Sequence, residues 1–323
     1  MIHRSSINGV RLDDIGRRLA DIAPTATTDV PGLGVRVHVA LHPTPPIPVI
    51  FEPMLYLVFQ GTKRLLGPGG ELTYGPGDLV TTAVHTPALT EVLVASADKP
   101  YRALEIPFDP QLVTALIADM HTTPAPATVE TIAVHPLPEK VLDPVHRLLR
   151  LADEPDAAKV LAHGVKREVW YRVLTGPDGG AFLDLSRTNS LLHRAHAVTT
   201  WMHQNLDEPF DAGRVAALAN MSVTSLYRLF KSATGASPGS YHKQLRLMEG
   251  RRRVVQGADT IQQIAASVGF ASPSQFTRDY RRAFGTAPKA DFPAARERSS
   301  PSRYEHPPRS AWARSLPPRP AGT

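Results

Sequence analysis

The sequence predicts an α+β chain of two domains: a small β-barrel or sandwich with helices, then an all-helical half. Three observations carry this expectation. Apolar residues alternate with a period of two from Leu33 to Leu41, and short apolar runs follow at 54–59, 78–84, 89–95 and 101–106. The period lengthens to that of a helix from about residue 137. A pattern of about 50 residues then occurs twice within 190–295.

The chain begins with an amphipathic helix. Leu12, Ile15, Leu19 and Ile22 share one stripe, and Pro24 ends it. The strand region is punctuated by Gly67-Pro68-Gly69-Gly70, Gly75-Pro76-Gly77-Asp78 and Asp98-Lys99-Pro100, which are turn signals. Two helices follow. One carries Leu137, Val141, Val145, Leu148 and Leu149, and the other Leu161, Val165, Val169, Val173 and Leu174. They are expected either to cover the sheets or to pair with a second subunit. Gly176-Pro177-Asp178-Gly179-Gly180 breaks the pattern, which gives domains at 1–185 and 190–295. The remaining segment, 296–323, has six prolines and six arginines with few large apolar residues, a composition expected to be disordered.

Charge divides along the same boundary. Residues 1–189 hold 17 Lys and Arg against 21 Asp and Glu, whereas 190–323 hold 19 against 9. A basic C-terminal half suits an acidic partner, with nucleic acid foremost. Cysteine is absent, which removes disulfides, cysteine-built metal sites and cysteine nucleophiles, and fits a reducing cytoplasm. No run of about 18 apolar residues occurs, so no membrane partner is expected.

Within the repeat, Ala216-Ala217-Leu218-Ala219-Asn220-Met221 corresponds to Ala265-Ala266-Ser267-Val268-Gly269-Phe270. Leu226, Arg228, Phe230 and Lys231 correspond to Phe276, Arg278, Tyr280 and Arg281. Each copy predicts a short helix, a tight turn and a second helix. Val215, Leu218 and Ala219 form the buried stripe of the first. Asn220 and Gly269 supply the left-handed turn residue, Ser222 and Ser272 the caps, and Gly235 and Gly285 the stops. This is the helix-turn-helix pattern, whose second helix fits the DNA major groove.

A helix from Ser237-Pro238 to about Gln256, with Tyr241, Leu245, Met248 and Val255 inward, joins the copies. At about 28 Å it suits two reading helices one DNA turn apart. Arg251, Arg252 and Arg253 near its end either oppose the helix dipole or meet phosphate. Residues off the buried stripes are the expected base readers: Thr224, Ser225, Tyr227 and Arg228 in one copy, and Ser274, Gln275, Thr277 and Arg278 in the other. Ser222, Lys231, Ser272, Arg281 and Arg282 are the expected phosphate contacts.

The stretches Met221–Lys231 and Thr234–Pro238, with Val268–Tyr280 and Phe284–Pro288, resemble the AraC/XylS family of bacterial transcription regulators over 194–293. Asn220 stands where the family usually has glycine. Phe51–Lys63, Tyr74–Val80, Pro100–Ile106 and Lys166–Pro177 resemble the cupin-like regulatory domain of one subgroup. The resemblance implies an effector-responsive regulator, cytoplasmic and associated with the nucleoid when bound. Its implied partners are a double-stranded DNA operator and a small-molecule effector, some members responding to aldehydes or other reactive compounds. A homodimer is expected, and RNA polymerase is a candidate partner.

Tyr56, Phe59, His85 and Glu105 are the candidate effector-pocket residues. A cupin-like barrel can also house a metal enzyme, so a metal enzyme fused to a DNA-binding module is the alternative. His38, His42 and His85 lack the closely paired histidines and nearby carboxylate of such enzymes, and no phosphate loop, nucleophile elbow or HExxH motif occurs. No catalytic residues, metal or cofactor are therefore expected.

Overall fold

A computed structural model describes residues 8–67, 70–120, 131–176, 179–187, 190–257 and 259–292. The basic segment 296–323 lies outside them. Helix α1 (Asn8–Ile22) comes first, with Ile15 and Leu19 buried. Its end is held by Arg102, which is buried and donates to the Ala23 and Pro24 carbonyls at 2.5 and 2.9 Å. Those carbonyls have no helical partner, so the guanidinium acts as a C-terminal cap.

The strands are β1 (Thr28–Val30), β2 (Val35–Ala40), β3 (Ile47–Phe51), β4 (Met54–Gln60), β5 (Thr62–Gly67), β6 (Gly70–Tyr74), β7 (Asp78–Thr82), β8 (Thr86–Val94), β9 (Tyr101–Pro107) and β10 (Ile132–Pro136). They form an antiparallel six-stranded sheet, ordered β1-β2-β9-β4-β7-β10, and a four-stranded sheet, ordered β3-β8-β5-β6. The expected barrel is thus two sheets sharing a core, without hydrogen-bonded closure among the described residues. The chain passes from the large sheet to the small one at Gly61, where φ is 78°. A Cβ there would lie 2.6 Å from the Val94 carbonyl oxygen and 2.9 Å from Tyr101 Cα, so only glycine fits the crossing.

Strand β4 is buried on both faces, which explains its continuous apolar sequence. Met54, Tyr56 and Val58 point between the sheets, whereas Leu55, Leu57 and Phe59 meet the helical layer. That layer contains α2 (Pro110–Asp119), α3 (Glu139–Arg150), α4 (Pro155–Leu174) and α5 (Gly180–Ser186). Trp170 is fully buried against Phe108 and Phe182. Large apolar side chains so enclosed contribute about 1.5–3 kcal/mol each. The α4 stripe is shorter than expected: Val169 and Val173 are buried, but Leu161 is 52% exposed beside Val160 at 77%.

The second half comprises α6 (Leu191–Gln204), α7 (Ala212–Leu218), α8 (Val223–Thr234), α9 (Pro238–Gln256), α10 (Ile261–Ser267), α11 (Pro273–Phe284) and α12 (Pro288–Asp291). The two halves share side-chain clusters. Leu89, Ile50 and Leu66 of the small sheet pack with Met248 and Phe276, while Ala83 and Val84 pack with Leu192, Ala195 and Leu229.

Candidate nucleic-acid interface

Helices α7 and α8 make the first helix-turn-helix unit, and α10 and α11 the second. Asn220 has φ of 49° and Gly269 has φ of 75°, so both turns use the left-handed conformation. Ser222 Oγ accepts from Ser225 N–H and Ser272 Oγ from Gln275 N–H, each capping its second helix. Gly235 and Gly285 end these helices at φ 69° and 76°. Val215, Ala216 and Ala219 fill the first unit's core, whereas Leu218, expected there, is exposed. Helix α9 runs over the expected residues, capped by Ser237, with Val254 inward rather than the exposed Val255.

Gly250 of α9 lies directly against α11. A Cβ there would be 2.7 Å from Phe276 Cε2 and 3.0 Å from Cζ. The missing side chain thus lets α11 approach α9 closely. Asp291 of α12 secures the same region, accepting from the Tyr280 hydroxyl at 2.6 Å and from Arg251 at 3.1 Å.

The polar residues of α8 and α11 divide by exposure. Thr224, Tyr227, Arg228, Ser274 and Arg278 are exposed, and Ser225, Gln275 and Thr277 half-buried. Arg228, Arg278, Arg281 and Arg282 are exposed and carry no ion pair or side-chain hydrogen bond among the described residues. Thr277, Arg278, Arg281, Arg282 and Lys289 line a concave surface of about 880 Å³ on the second unit. Four cationic groups there make a surface suited to phosphate. Lys231 is less free, since its Nζ donates to the Gly235 carbonyl at 3.3 Å. Ser222 and Ser272 are engaged as caps.

The arginine triplet is held internally. Arg251 pairs with Asp291 and lies 4.7 Å from the Phe284 ring centroid. Arg252 and Arg253 both bond Glu249. Burial opposes ionisation of Glu249, but those two hydrogen bonds prevail and hold its carboxyl below its ordinary range. Neither sequence reading of the triplet, dipole or phosphate, names these carboxylates.

Between the sheets, two of the four candidate pocket residues converge. Tyr56 and Glu105 sit opposite each other on β4 and β9. His38 Nε2 lies 2.6 Å from Glu105 Oε2, and the His38 and Tyr56 ring centroids are 5.1 Å apart. The Tyr101 hydroxyl donates to that of Tyr56 at 3.1 Å. Lys63 completes this cluster, its Nζ 5.4 Å and 5.7 Å from the centroids of Tyr56 and Tyr101. Burial pulls the Lys63 ammonium down to about 8, with Glu105 opposing the shift. Lys63 is absent from the sequence-predicted pocket. Its signal is the alternation in β5, where it shares a face with Leu65 of the inter-sheet core.

The other two candidates lie elsewhere. Phe59 has the parity of Leu55 and Leu57, so it packs among the helices. His85 sits at the joint between the halves, stacked on His203 and His196 with centroids 5.0 and 5.9 Å apart. His42 lies beyond β2 and is exposed. His38, His42 and His85 therefore do not meet as one ligand set.

The AraC-type transcriptional regulator N-terminus model matches residues 30–181, and a helix-turn-helix domain model matches 215–292. The chain is 36% identical over 94 residues to the HTH-type transcriptional activator RhaS of Pectobacterium carotovorum, covering 29% of this chain and 34% of RhaS. It is 35% identical over 92 residues to the HTH-type transcriptional regulator GbdR of Pseudomonas aeruginosa, covering 28% of this chain and 25% of GbdR. The matches thus span a quarter to a third of those relatives. Apo ToxT from Vibrio cholerae superimposes with a TM-score of 0.55 at 11% identity, over 82% of this chain and 97% of that one, a likeness of fold alone. No helix among the described residues is long and apolar enough to cross a membrane. Both halves match in family order, and the duplicated turn, caps and stops stand where the motif requires them, so the chain belongs to the AraC family of transcription regulators.

Proposed function

We propose that the protein is a sequence-specific DNA-binding transcription regulator controlled by a small molecule. The supporting observation is the pair of equivalent second helices, each presenting an exposed arginine without an ion pair or side-chain hydrogen bond among the described residues. In this reading Thr224, Ser225, Tyr227, Arg228, Ser274, Gln275, Thr277 and Arg278 face base edges. Arg281 and Arg282 meet phosphates, and Lys231 does so on leaving Gly235. The Tyr56–Lys63–Glu105 cluster is where a polar effector would act, because an ammonium, a carboxylate and phenols converge there. RNA polymerase is a candidate partner for bound protein, and the cytoplasm its proposed site of action. The enzyme alternative receives no support from His38, His42 and His85, which do not converge.

A homodimer through α4 accompanies this reading, since Val160 and Leu161 present adjacent aliphatic groups at 77% and 52% exposure. Leu161→Glu is expected to shift the protein to monomer in sedimentation analysis. Recovery and sequencing of genomic DNA bound by the full chain tests the main proposal. The expected result is a motif of two half-sites about 10 base pairs apart. Recovery without any enriched motif would overturn it.

A further inference from the structure

Glu52, His85 and His203 come from three separate parts of the chain. Glu52 sits in the β3–β4 turn, His85 just before β8 and His203 near the end of α6. One potential ligand atom from each lies within 4.8 Å of the other two. The His85 and His203 rings stack at 24°, and His203 Nδ1 is buried without a hydrogen-bond partner among the described residues. Thr200 Oγ1 lies 3.4 Å from His85 Nδ1, a contact that helps set the ring's orientation. A cleft of about 700 Å³ between β3 and helices α6 and α9 has His203, alone of the three, in its wall.

From this convergence we infer that Glu52, His85 and His203 bind one divalent transition-metal ion that bridges the two halves of the protein. Two imidazoles and one carboxylate form a nitrogen–oxygen donor set suited to Zn²⁺, Co²⁺ or Ni²⁺ rather than to Mg²⁺ or Ca²⁺. Packing alone would be met by any flat ring at positions 85 and 203. It does not account for a carboxylate converging on both rings. Metal–ligand bonds of about 2.0–2.2 Å place tetrahedral donors roughly 3.3 Å apart. The donors must therefore close by about 1.5 Å at most, a movement assigned to Glu52, whose side chain is the exposed one of the three. A solvent molecule from the cleft would complete the coordination.

The consequence is mechanical. Glu52 and His85 belong to the regulatory half and His203 to the DNA-binding half, so the ion binds well only while the halves are docked. By linkage it must favour that arrangement. This is an input separate from the Tyr56–Lys63–Glu105 cluster, and it does not rest on the DNA-binding proposal.

The test uses the full chain, stripped with chelator and dialysed against micromolar Zn²⁺. One zinc per chain is expected, with affinity falling at least tenfold in Glu52→Gln and in His203→Gln, and unchanged in the exposed control His42→Gln. Co²⁺ should give the visible absorption of a four-coordinate site in the wild type and lose it in both variants. Zinc should also slow proteolysis between residues 176 and 190 in the wild type but not in His203→Gln. No retained zinc, or equal retention by wild type and both variants, would overturn the ion site. Retention that depends on Glu52 and His203 without protection from proteolysis would overturn the bridging role. Circular dichroism of each variant establishes that a loss of zinc is not a loss of fold.

Discussion

Arg228 and Arg278 are equivalent residues: each stands six positions beyond a capping serine, Ser222 or Ser272, exposed and without an ion pair among the described residues. Truncating either to alanine removes one guanidinium and disturbs no described internal contact. Arg228→Ala and Arg278→Ala are each expected to weaken specific operator binding by about 1–3 kcal/mol and to relax base preference at one half-site. Footprints identical to the wild type in both variants would show that these helices do not read DNA.

Salt separates the other arginines from this pair. Arg281 and Arg282 share the concave face of α11 with Lys289, a surface suited to phosphate. Arg282→Ala should weaken binding to all sequences alike and flatten the plot of log affinity against log salt by about one unit. A slope equal to that of the wild type would remove Arg282 from the interface.

Gly250 and Phe276 give a prediction on stability. The ring leaves no room for a methyl group on α9, so Gly250→Ala should cost about 1–3 kcal/mol in urea denaturation despite alanine's better helix propensity. Phe276→Leu in the Gly250→Ala background should cost less than the sum of the two single changes, because the clash is shared.

Acid should loosen the DNA-binding half through His242. This imidazole is buried, with Nε2 3.2 Å from the Asn205 carbonyl oxygen and the Trp201 and Phe210 rings beside it. Burial, and secondarily Arg246, pull it down to about 4. An unfolded histidine titrates near 6.5, so the unfolded chain takes the proton first. Stability contributed by the neutral ring is intact above about 6.5 and is lost as pH falls toward 4, with a slope of up to about 1.4 kcal/mol per unit. His242→Gln should flatten that limb of a pH series of thermal melts.

Lys63 acts at the other end of the scale. Its folded value of about 8 lies below the 10.5 of a free lysine, so the unfolded chain holds its proton longer. Stability should rise between about pH 8 and 10.5 as the buried amine becomes neutral. Lys63→Met should raise the melting temperature at pH 7 and abolish that rise.

The two halves differ in how much the sequence discloses. The helix-turn-helix units are legible because their determinants are local: a serine cap, Asn220 or Gly269 at the turn, and a terminal glycine. Strand pairing is not local, and β1, β3, β5, β6 and β10 escape the sequence reading. Pro48 in β3 and the glycines around β5 and β6 obscure the alternation. Phe59 was assignable, because its parity with Leu55 and Leu57 already separates it from Tyr56. His85 was not, since its neighbours His196 and His203 lie more than a hundred residues away and meet it only when the halves dock.

Ile50 packs at the edge of both helix-turn-helix cores, touching the cluster of Phe276 and Val268 on one side and that of Leu226 and Val215 on the other. One aliphatic side chain of the N-terminal half is thus wedged at the seam of the two helix-turn-helix units. A shift in β3 would jostle both together, so the two helical units would move in concert, as a single jaw.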